Sequence, residues 1–268
     1  QTSNGNSMKY KVLFLDIDGT ILKRDHPYTD KTKEAIQEAQ RQGLEVFLAT
    51  GRPIHEIHGL AKELNIQSMI GYNGAFATYR GETIVHEVMP EKTVRYFYDL
   101  SQEHGHEFIM FTDEKNYFSD LESPVLEHFG RTFQMTINAA FRPDILPRVL
   151  GLTVMGVLPE QIPLYEKENS VHLSKVRGTG IEHTYDIIRD KVNKGEAIKK
   201  ILEHLNIPKE AAIAFGDGMN DKEMLQAVGE GFAMGNANPD LLPYAKHQTA
   251  TVDESGIYIG LQQLGIVE

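Results

Sequence analysis

Val12-Leu13-Phe14-Leu15-Asp16-Ile17-Asp18-Gly19-Thr20 is the stretch that decides the fold. Four apolar residues in a row show no alternation, so the strand they form must be buried on both faces. That is the pattern of a parallel sheet covered by helices on each side. The run ends at Asp16, Asp18 and Gly19, which places carboxylates and a turn-forming residue at the carboxyl end of a strand. In open parallel sheets that end is where ligands bind.

Reading outward, Asp30 to Gln42 forms a helix with Ala35, Ile36 and Ala39 on one side and Gly43 to end it. Val46 to Ala49 is a second strand. Pro53 to Leu64 reads as one helix, striped by Ile54, Ile57, Leu60, Ala61 and Leu64, with Pro53 suited to its first turn. Ser68 to Tyr72 is a third strand, and the alternation of strand and helix implies right-handed crossovers. Ala75 to Tyr79 and Glu82 to Val88 then read as strands joined at Arg80-Gly81, and Glu91 to His104 as a helix. From about Phe108 to Ile188, short strands, proline breaks and helices follow without regular alternation. The earlier grammar returns with a helix from Lys194 to Asn206, a strand from Ala211 to Phe215, a helix from Asp221 to Val228, a strand from Gly231 to Met234 and a helix from Glu254 to Leu264. The expected architecture is α/β: a doubly wound, mainly parallel core made of residues 8–83 and 189–268, with an α/β unit of residues 84–188 inserted. Residues 1–7 are polar and expected to lie outside the fold, with Met8 the expected native start.

The 268 residues are 41% hydrophobic and 24% charged, a globular composition. A formal charge of −11 disfavours nucleic acid and anionic membrane as partners. No apolar run approaches the roughly 20 residues of a membrane-spanning helix. The chain has no cysteine, which excludes disulfides, thiolate metal sites and cysteine nucleophiles and fits a cytoplasmic location.

Two further clusters occupy positions equivalent to the first. Thr50-Gly51-Arg52 follows the strand ending at Ala49, and Gly216-Asp217-Gly218-Met219-Asn220-Asp221 follows the strand ending at Phe215. Asp-x-Asp-Gly alone is a common turn, and Thr-Gly-Arg alone is ordinary. An EF-hand would need Gly sixth and Glu twelfth, where this loop has Gly19 fourth and Pro27 twelfth. All three clusters, each at a strand end, meet at one crevice, which a purely structural reading does not explain.

With Lys194-Gly195, these clusters resemble the four motifs of the haloacid dehalogenase superfamily. Gly71-Tyr72-Asn73-Gly74-Ala75, together with the large insertion, resembles its Cof-type phosphatase branch. The resemblance implies a Rossmann-like core, a mobile cap and Mg²⁺-dependent phosphoryl transfer through an aspartyl phosphate. It makes Asp16 the nucleophile and Asp18 the acid and base. Ile17, Thr50, Gly51, Lys194 and Asn220 would hold the phosphoryl oxygens. Asp16, the Asp18 carbonyl and Asp217 would hold the metal, with Asp221 outside them or holding Lys194.

The chemistry agrees with these roles. A carboxylate of ordinary pKa, about 3.9, is ionised at neutrality and can attack phosphorus. An all-oxygen donor set suits a hard cation, and helix N-termini after Thr50 and at Lys194 favour anions.

Other signals carry less. His55-Glu56-Ile57-His58 spaces its histidines three apart rather than the four of a metalloprotease helix, and a solvated face is expected for both. Arg177-Gly178-Thr179-Gly180 lacks the third glycine of a dinucleotide fingerprint and reads as a loop. Tyr96, Phe97 and Tyr98 are expected to pack within the insert. The expected function is hydrolysis of small phosphorylated metabolites, sugar phosphates first among them. A phosphosugar mutase of the same chemistry and a non-catalytic phosphometabolite sensor are the alternatives.

Overall fold

The structure, a computed structural model, describes residues 9–25, 27–167, 170–176, 178 and 180–268. Arg177 and Thr179 of the expected Arg177–Gly180 loop lie outside the described residues. The chain divides into two compact units. One takes the chain up to Gly51, then His58–Val85 and Asn193–Glu268; the other is Arg52–Ile57 with His86–Val192.

Along the chain, the first unit begins with β1 (Val12–Leu15), α1 (Asp30–Arg41), β2 (Glu45–Ala49), α2 (His58–Glu63), β3 (Ser68–Gly71), β4 (Phe76–Tyr79) and β5 (Glu82–His86). The second contributes α3 (Glu91–His104), β6 (Glu107–Phe111), β7 (Asn116–Phe118), α4 (Pro124–Thr132), β8 (Asn138–Ala140), β9 (Gly151–Met155), α5 (Ile162–Glu166), β10 (Val171–Lys175) and β11 (Thr184–Arg189). The chain returns to the first with α6 (Lys194–Leu205), β12 (Ala212–Gly216), α7 (Lys222–Gln226), β13 (Glu230–Ala233), β14 (His247–Gln248) and α8 (Gly256–Gln263).

The sheet of the first unit runs β14-β13-β12-β1-β2-β3-β4-β5. It is parallel from β14 to β3, and β4 runs antiparallel to β3. β1 to β3 build outward on one side of β1, and β12 to β14 on the other. The strand order therefore reverses between β1 and β12, and the carboxyl ends of those two strands flank the crevice that such a reversal opens. Arg80 and Gly81 both have positive φ, the geometry of a tight two-residue hairpin turn between β4 and β5.

Both faces of this sheet are covered, as β1 requires. Val12 and Phe14 face Ala197, Ile198 and Ile201 of α6, in one buried cluster with Met224 and Leu225 of α7. Each fully buried Leu, Ile or Phe contributes about 1.5–3 kcal/mol, so this sandwich is the main source of stability. α1 starts at Thr29, whose hydroxyl accepts from Thr32 N at 3.1 Å, and ends before Gly43 at φ +93°. α6 starts at Asn193, whose side chain accepts from Glu196 N at 2.8 Å, and stops at Asn206 in the left-handed region.

The second unit is a six-stranded sheet of order β10-β11-β9-β6-β7-β8, antiparallel except for β7 and β8. One face, with Phe108, Met110, Leu152 and Val154, packs on Val94, Phe97 and Leu100 of α3. The three adjacent aromatics do pack here: Phe97 stacks on Tyr165 at 5.9 Å and Tyr98 on Phe141 at 4.9 Å.

The expected helix from Pro53 to Leu64 is not continuous. Ile54–Glu56 is a 3₁₀ turn, Ile57 leaves helical geometry, and α2 spans only His58–Glu63. The solvated face expected for both histidines also fails. His58 is exposed, but the His55 and Glu56 side chains are only 6% and 8% exposed. Their polar atoms bond to β7 and the segment after α4. Those contacts replace the helical ones, which periodicity along the segment alone cannot reveal.

Candidate active site

Asp16 ends β1, its backbone N–H bonded to Phe215 O at 3.1 Å, so the β1–β12 ladder itself fixes the start of the site. The chain then turns at once. The Ile17 carbonyl accepts from the N–H groups of Thr20, Ile21 and Leu22. Gly19 sits at φ +81°, and a Cβ there would lie 1.9 Å from Asp217 Oδ2, so only glycine lets the Asp217 carboxylate approach this turn. Asn236, which the sequence reading passed over, braces the same turn by donating to the Gly19 carbonyl at 2.9 Å. Nothing in its local sequence marks it.

Lys194, the first residue of α6, is 0% exposed, and its ammonium lies 3.0 Å from Asp16 Oδ1 and 2.6 Å from Asp221 Oδ1. The Asp221 Oδ2 accepts from the backbone N–H groups of Asp217 at 2.9 Å and Gly218 at 3.1 Å. Both Asp221 oxygens are thus taken by donors, and the residue ties the Asp217 loop to Lys194. The start of α6 is itself held by close packing. Gly74, at φ +104°, would place a Cβ 2.1 Å from the Asn193 carbonyl.

One oxygen each of Asp16, Asp217 and Asp221 lies within 4.8 Å of the others. Three carboxylates around one ammonium leave an excess of negative charge in a buried place. Burial pushes Asp16 up to about 7, against the pull of Lys194, and Asp221 likewise to about 7 with the Asp16 charge adding to the rise. Asp217 is also raised, first by burial and then by Asp221 and Asp18, although Asp16 opposes this by hydrogen bonding. The ordinary pKa expected of Asp16 is therefore not what this protein environment provides. For Lys194 burial works toward the neutral form, but Asp16 and Asp221 outweigh it and hold the ammonium charged. The oxygen-only donor set and its surplus charge fit a divalent cation.

The other residues singled out in the sequence take the following places. Asp18 is exposed in the turn after β1, near enough for its charge to act on Asp217. Ile17 is fully buried and contributes backbone alone. Thr50 is buried at the end of β2, its N–H bonded to Ile70 O and its carbonyl to Asn73 N. Gly51 is exposed beside Asn220, whose amide donates to Asn73 Oδ1 at 3.4 Å. Thr20, quoted in the motif but given no role, donates to Asp16 Oδ2 at 3.4 Å. The structure thus joins Asp16, Lys194, Asp217 and Asp221 directly and sets Gly51 against Asn220.

Residues 13–261 match the haloacid dehalogenase-like hydrolase family. The chain belongs to that family. It is 32% identical over 267 residues to YkrA of Bacillus subtilis (strain 168), provisionally named a phosphatase, covering 97% of this chain and 100% of that one. It is 29% identical to YitU of the same strain, a 5-amino-6-(5-phospho-D-ribitylamino)uracil phosphatase, over 92% of this chain and 94% of that one. Among solved structures, the subclass IIB sugar phosphatase BT4131 superposes with a TM-score of 0.81 at 26% identity, covering 96% of this chain and 100% of that one. The chain is a phosphatase of the haloacid dehalogenase type.

Proposed function

We propose that this enzyme hydrolyses phosphate monoesters of small polyhydroxylated metabolites in the cytoplasm, with Mg²⁺ as cofactor and Asp16 as nucleophile. The observation that carries the reading is the buried Lys194 ammonium between Asp16 and Asp221, with Asp217 beside them, at the point where the strand order reverses. Phosphoryl transfer needs an in-line nucleophile, positive charge around the equatorial oxygens and a proton for the leaving oxygen. Asp16, Lys194 and Asp18 are the groups read into these three roles.

In the proposed reaction an Asp16 oxygen attacks phosphorus and forms the aspartyl phosphate as the bond to the leaving oxygen breaks. Asp18, exposed at the mouth of the turn, gives that oxygen its proton. Asp18 then takes a proton from the water that attacks the aspartyl phosphate, releasing inorganic phosphate and restoring Asp16. Lys194, the Asn220 amide, the Thr50 hydroxyl and the backbone N–H groups at Ile17 and Gly51 hold the transferring oxygens. Asp16, the Asp18 carbonyl and Asp217 would hold Mg²⁺, which supplies Lewis-acid stabilisation of phosphoryl charge when bound. Asp221 holds Lys194 and the Asp217 loop in place.

The substrate class rests on the relatives. One is named for a phosphoribitylamino compound and another as a sugar phosphatase, and both substrates so named are phosphates of polyhydroxylated small molecules. The test is phosphate release from a panel of sugar, polyol and nucleotide monophosphates, with Mg²⁺ or with EDTA. Asp16→Asn should abolish turnover while leaving the fold intact. Residual turnover in that variant, or wild-type activity untouched by EDTA, would overturn the reading. An isomeric sugar phosphate in place of inorganic phosphate would make the enzyme a mutase.

A further inference from the structure

The segment after β13, residues 234–238, touches both carboxylate-bearing turns of the first unit. Met234 N donates to Gly216 O at 2.9 Å and Asn238 N to Asp217 O at 2.8 Å, which binds the segment to the turn after β12. Between them Asn236 reaches the turn after β1. Its amide nitrogen lies 2.9 Å from the Gly19 carbonyl, and its Oδ1 accepts from Val252 N at 2.8 Å. A backbone N–H can only donate and a carbonyl only accept, so these partners fix which way the amide faces. Gly235 N donates to Ala250 O at 2.9 Å, and a Cβ on Gly235 would lie 2.8 Å from Thr251 N, so the segment is pressed against residues 250–252. Every one of these contacts lies within the first unit.

The two turns need such a link. Asp16 and Asp217 bring oxygens within 4.8 Å of one another, and carboxylates that close repel when both are ionised. The peptide between Asp18 and Gly19 is held by Gly19 N donating to Leu22 O at 2.9 Å. The next peptide is held at both ends, with Thr20 N donating to Ile17 O at 3.2 Å and the Gly19 carbonyl accepting from Asn236. Of these three bonds, the one from Asn236 reaches outside the turn. Gly19, at φ +81°, is the hinge between the two peptides, and glycine resists rotation least. Asn236 is exposed, so water can replace either of its hydrogen bonds but cannot tie the two partners together.

We infer that Asn236 is a positioning residue of the metal site: through it, residues 234–238 clasp the Gly19 and Asp217 turns together and set the spacing of their oxygen donors for a small divalent cation. The inference rests on the proposed reading of Asp16, the Asp18 carbonyl and Asp217 as metal-holding groups. It assigns Asn236 no contact with metal or substrate. Spacing governs selectivity, since Mg²⁺ demands near-octahedral oxygens at about 2.0–2.1 Å, whereas Ca²⁺ accepts about six to eight at about 2.3–2.6 Å in looser arrangements. Clasped turns therefore favour Mg²⁺, and loosening them costs Mg²⁺ more than Ca²⁺.

The test is calorimetric titration of wild type, Asn236→Ala and Asn236→Asp with MgCl₂ and with CaCl₂, with melting temperature in EDTA measured for each. Asn236→Ala should bind Mg²⁺ about tenfold more weakly and Ca²⁺ within about threefold of wild type, so that the ratio of the two affinities falls by at least about threefold. The carboxylate of Asn236→Asp keeps an acceptor for Val252 N but has no hydrogen to offer the Gly19 carbonyl. Its added charge attracts both cations, so the ratio rather than either affinity reports the clasp. That ratio should fall as in Asn236→Ala, while the melting temperature stays closer to wild type. An unchanged ratio in a folded Asn236→Ala protein overturns the inference. So does a wild-type ratio in Asn236→Asp, which would leave Asn236 only the role of anchoring residues 250–252. If Asn236→Ala does not fold, Asn236→Asp decides alone. A wild-type protein that binds neither cation overturns the metal reading itself, and the inference with it.

Discussion

Among the described residues Lys194 is the one ammonium set among these three carboxylates, and its removal separates electrostatics from packing. In Lys194→Met the stem is roughly preserved, but Asp16 and Asp221 lose the attraction that opposes their burial. Both already titrate near 7, so in the variant they move higher still, and folding then favours their protonated forms. An acid raised above its unfolded value contributes stability at low pH and loses it as pH rises. Urea unfolding in EDTA should therefore show Lys194→Met close to wild type at pH 5 and about 3–5 kcal/mol weaker at pH 8. Activity should fall at least roughly a hundredfold at every pH, since the fixed positive charge proposed to hold the transferring group is lost. Equal destabilisation at both pH values would mean that the lysine acts by packing alone. At Gly19 the constraint is steric. Gly19→Ala adds a methyl group 1.9 Å from Asp217 Oδ2 at positive φ. It should displace Asp217, weaken metal affinity measured by calorimetry and lower kcat/KM by about a hundredfold.

At the scale of elements, α6 carries Lys194 at its first position, so the helix cap is also a positioning device. Asn193→Ala removes the acceptor for Glu196 N. It should cost about 1 kcal/mol in urea unfolding, while Asn193→Asp should cost a few tenths or less. An Ala variant as stable as wild type would show that Gly74 packing, not the cap, sets the helix start. Helices and strands of this kind were legible in the sequence wherever the burying partner was a regular layer. Glu91–His104 has the bounds read from the sequence, and the buried runs at Val12 and Ala212 are strands. The Pro53–Leu64 stretch was misread because the polar side chains that break it find partners sixty and more residues away. The clustered carboxylates proposed for the reaction were legible because each lies within a few residues of its strand end. Asn236 was not, because a lone asparagine in a loop has no periodic signature.

At the scale of the whole molecule, the two units carry different acid-sensitive groups, and their order of failure follows from them. In the second unit His106 is buried, with Nδ1 against Tyr165 OH at 2.7 Å and Nε2 against Gln161 Oε1 at 2.9 Å. A glutamine oxygen can only accept, so Nε2 carries the proton, Nδ1 accepts from the tyrosine and the ring is neutral. Burial lowers its pKa below 6.5, so the unfolded chain binds the proton more readily, and stability falls as pH drops below that value. In the first unit Glu230 joins the start of β13 to Tyr10, Lys246 and His247. Despite the opposing effect of burial, hydrogen bonds from His247, Lys246 and Tyr10 take it from 4.5 down to about 2. The stability it contributes is complete above pH 4.5 and lost as pH falls from there toward 2. Peptide-level hydrogen exchange on a pH series should therefore show α5 and β6 losing protection first, below about pH 6.5, with β13 and β14 following only below about pH 4.5. His106→Gln offers no proton site, so it should shift the first transition to lower pH and leave the second where it was. Glu230→Gln should remove the pH dependence of the second and lower the first unit's stability at neutral pH by about 1–3 kcal/mol. One transition at a single pH, unmoved by either substitution, would mean that the acid response is set by overall charge rather than by these two buried groups.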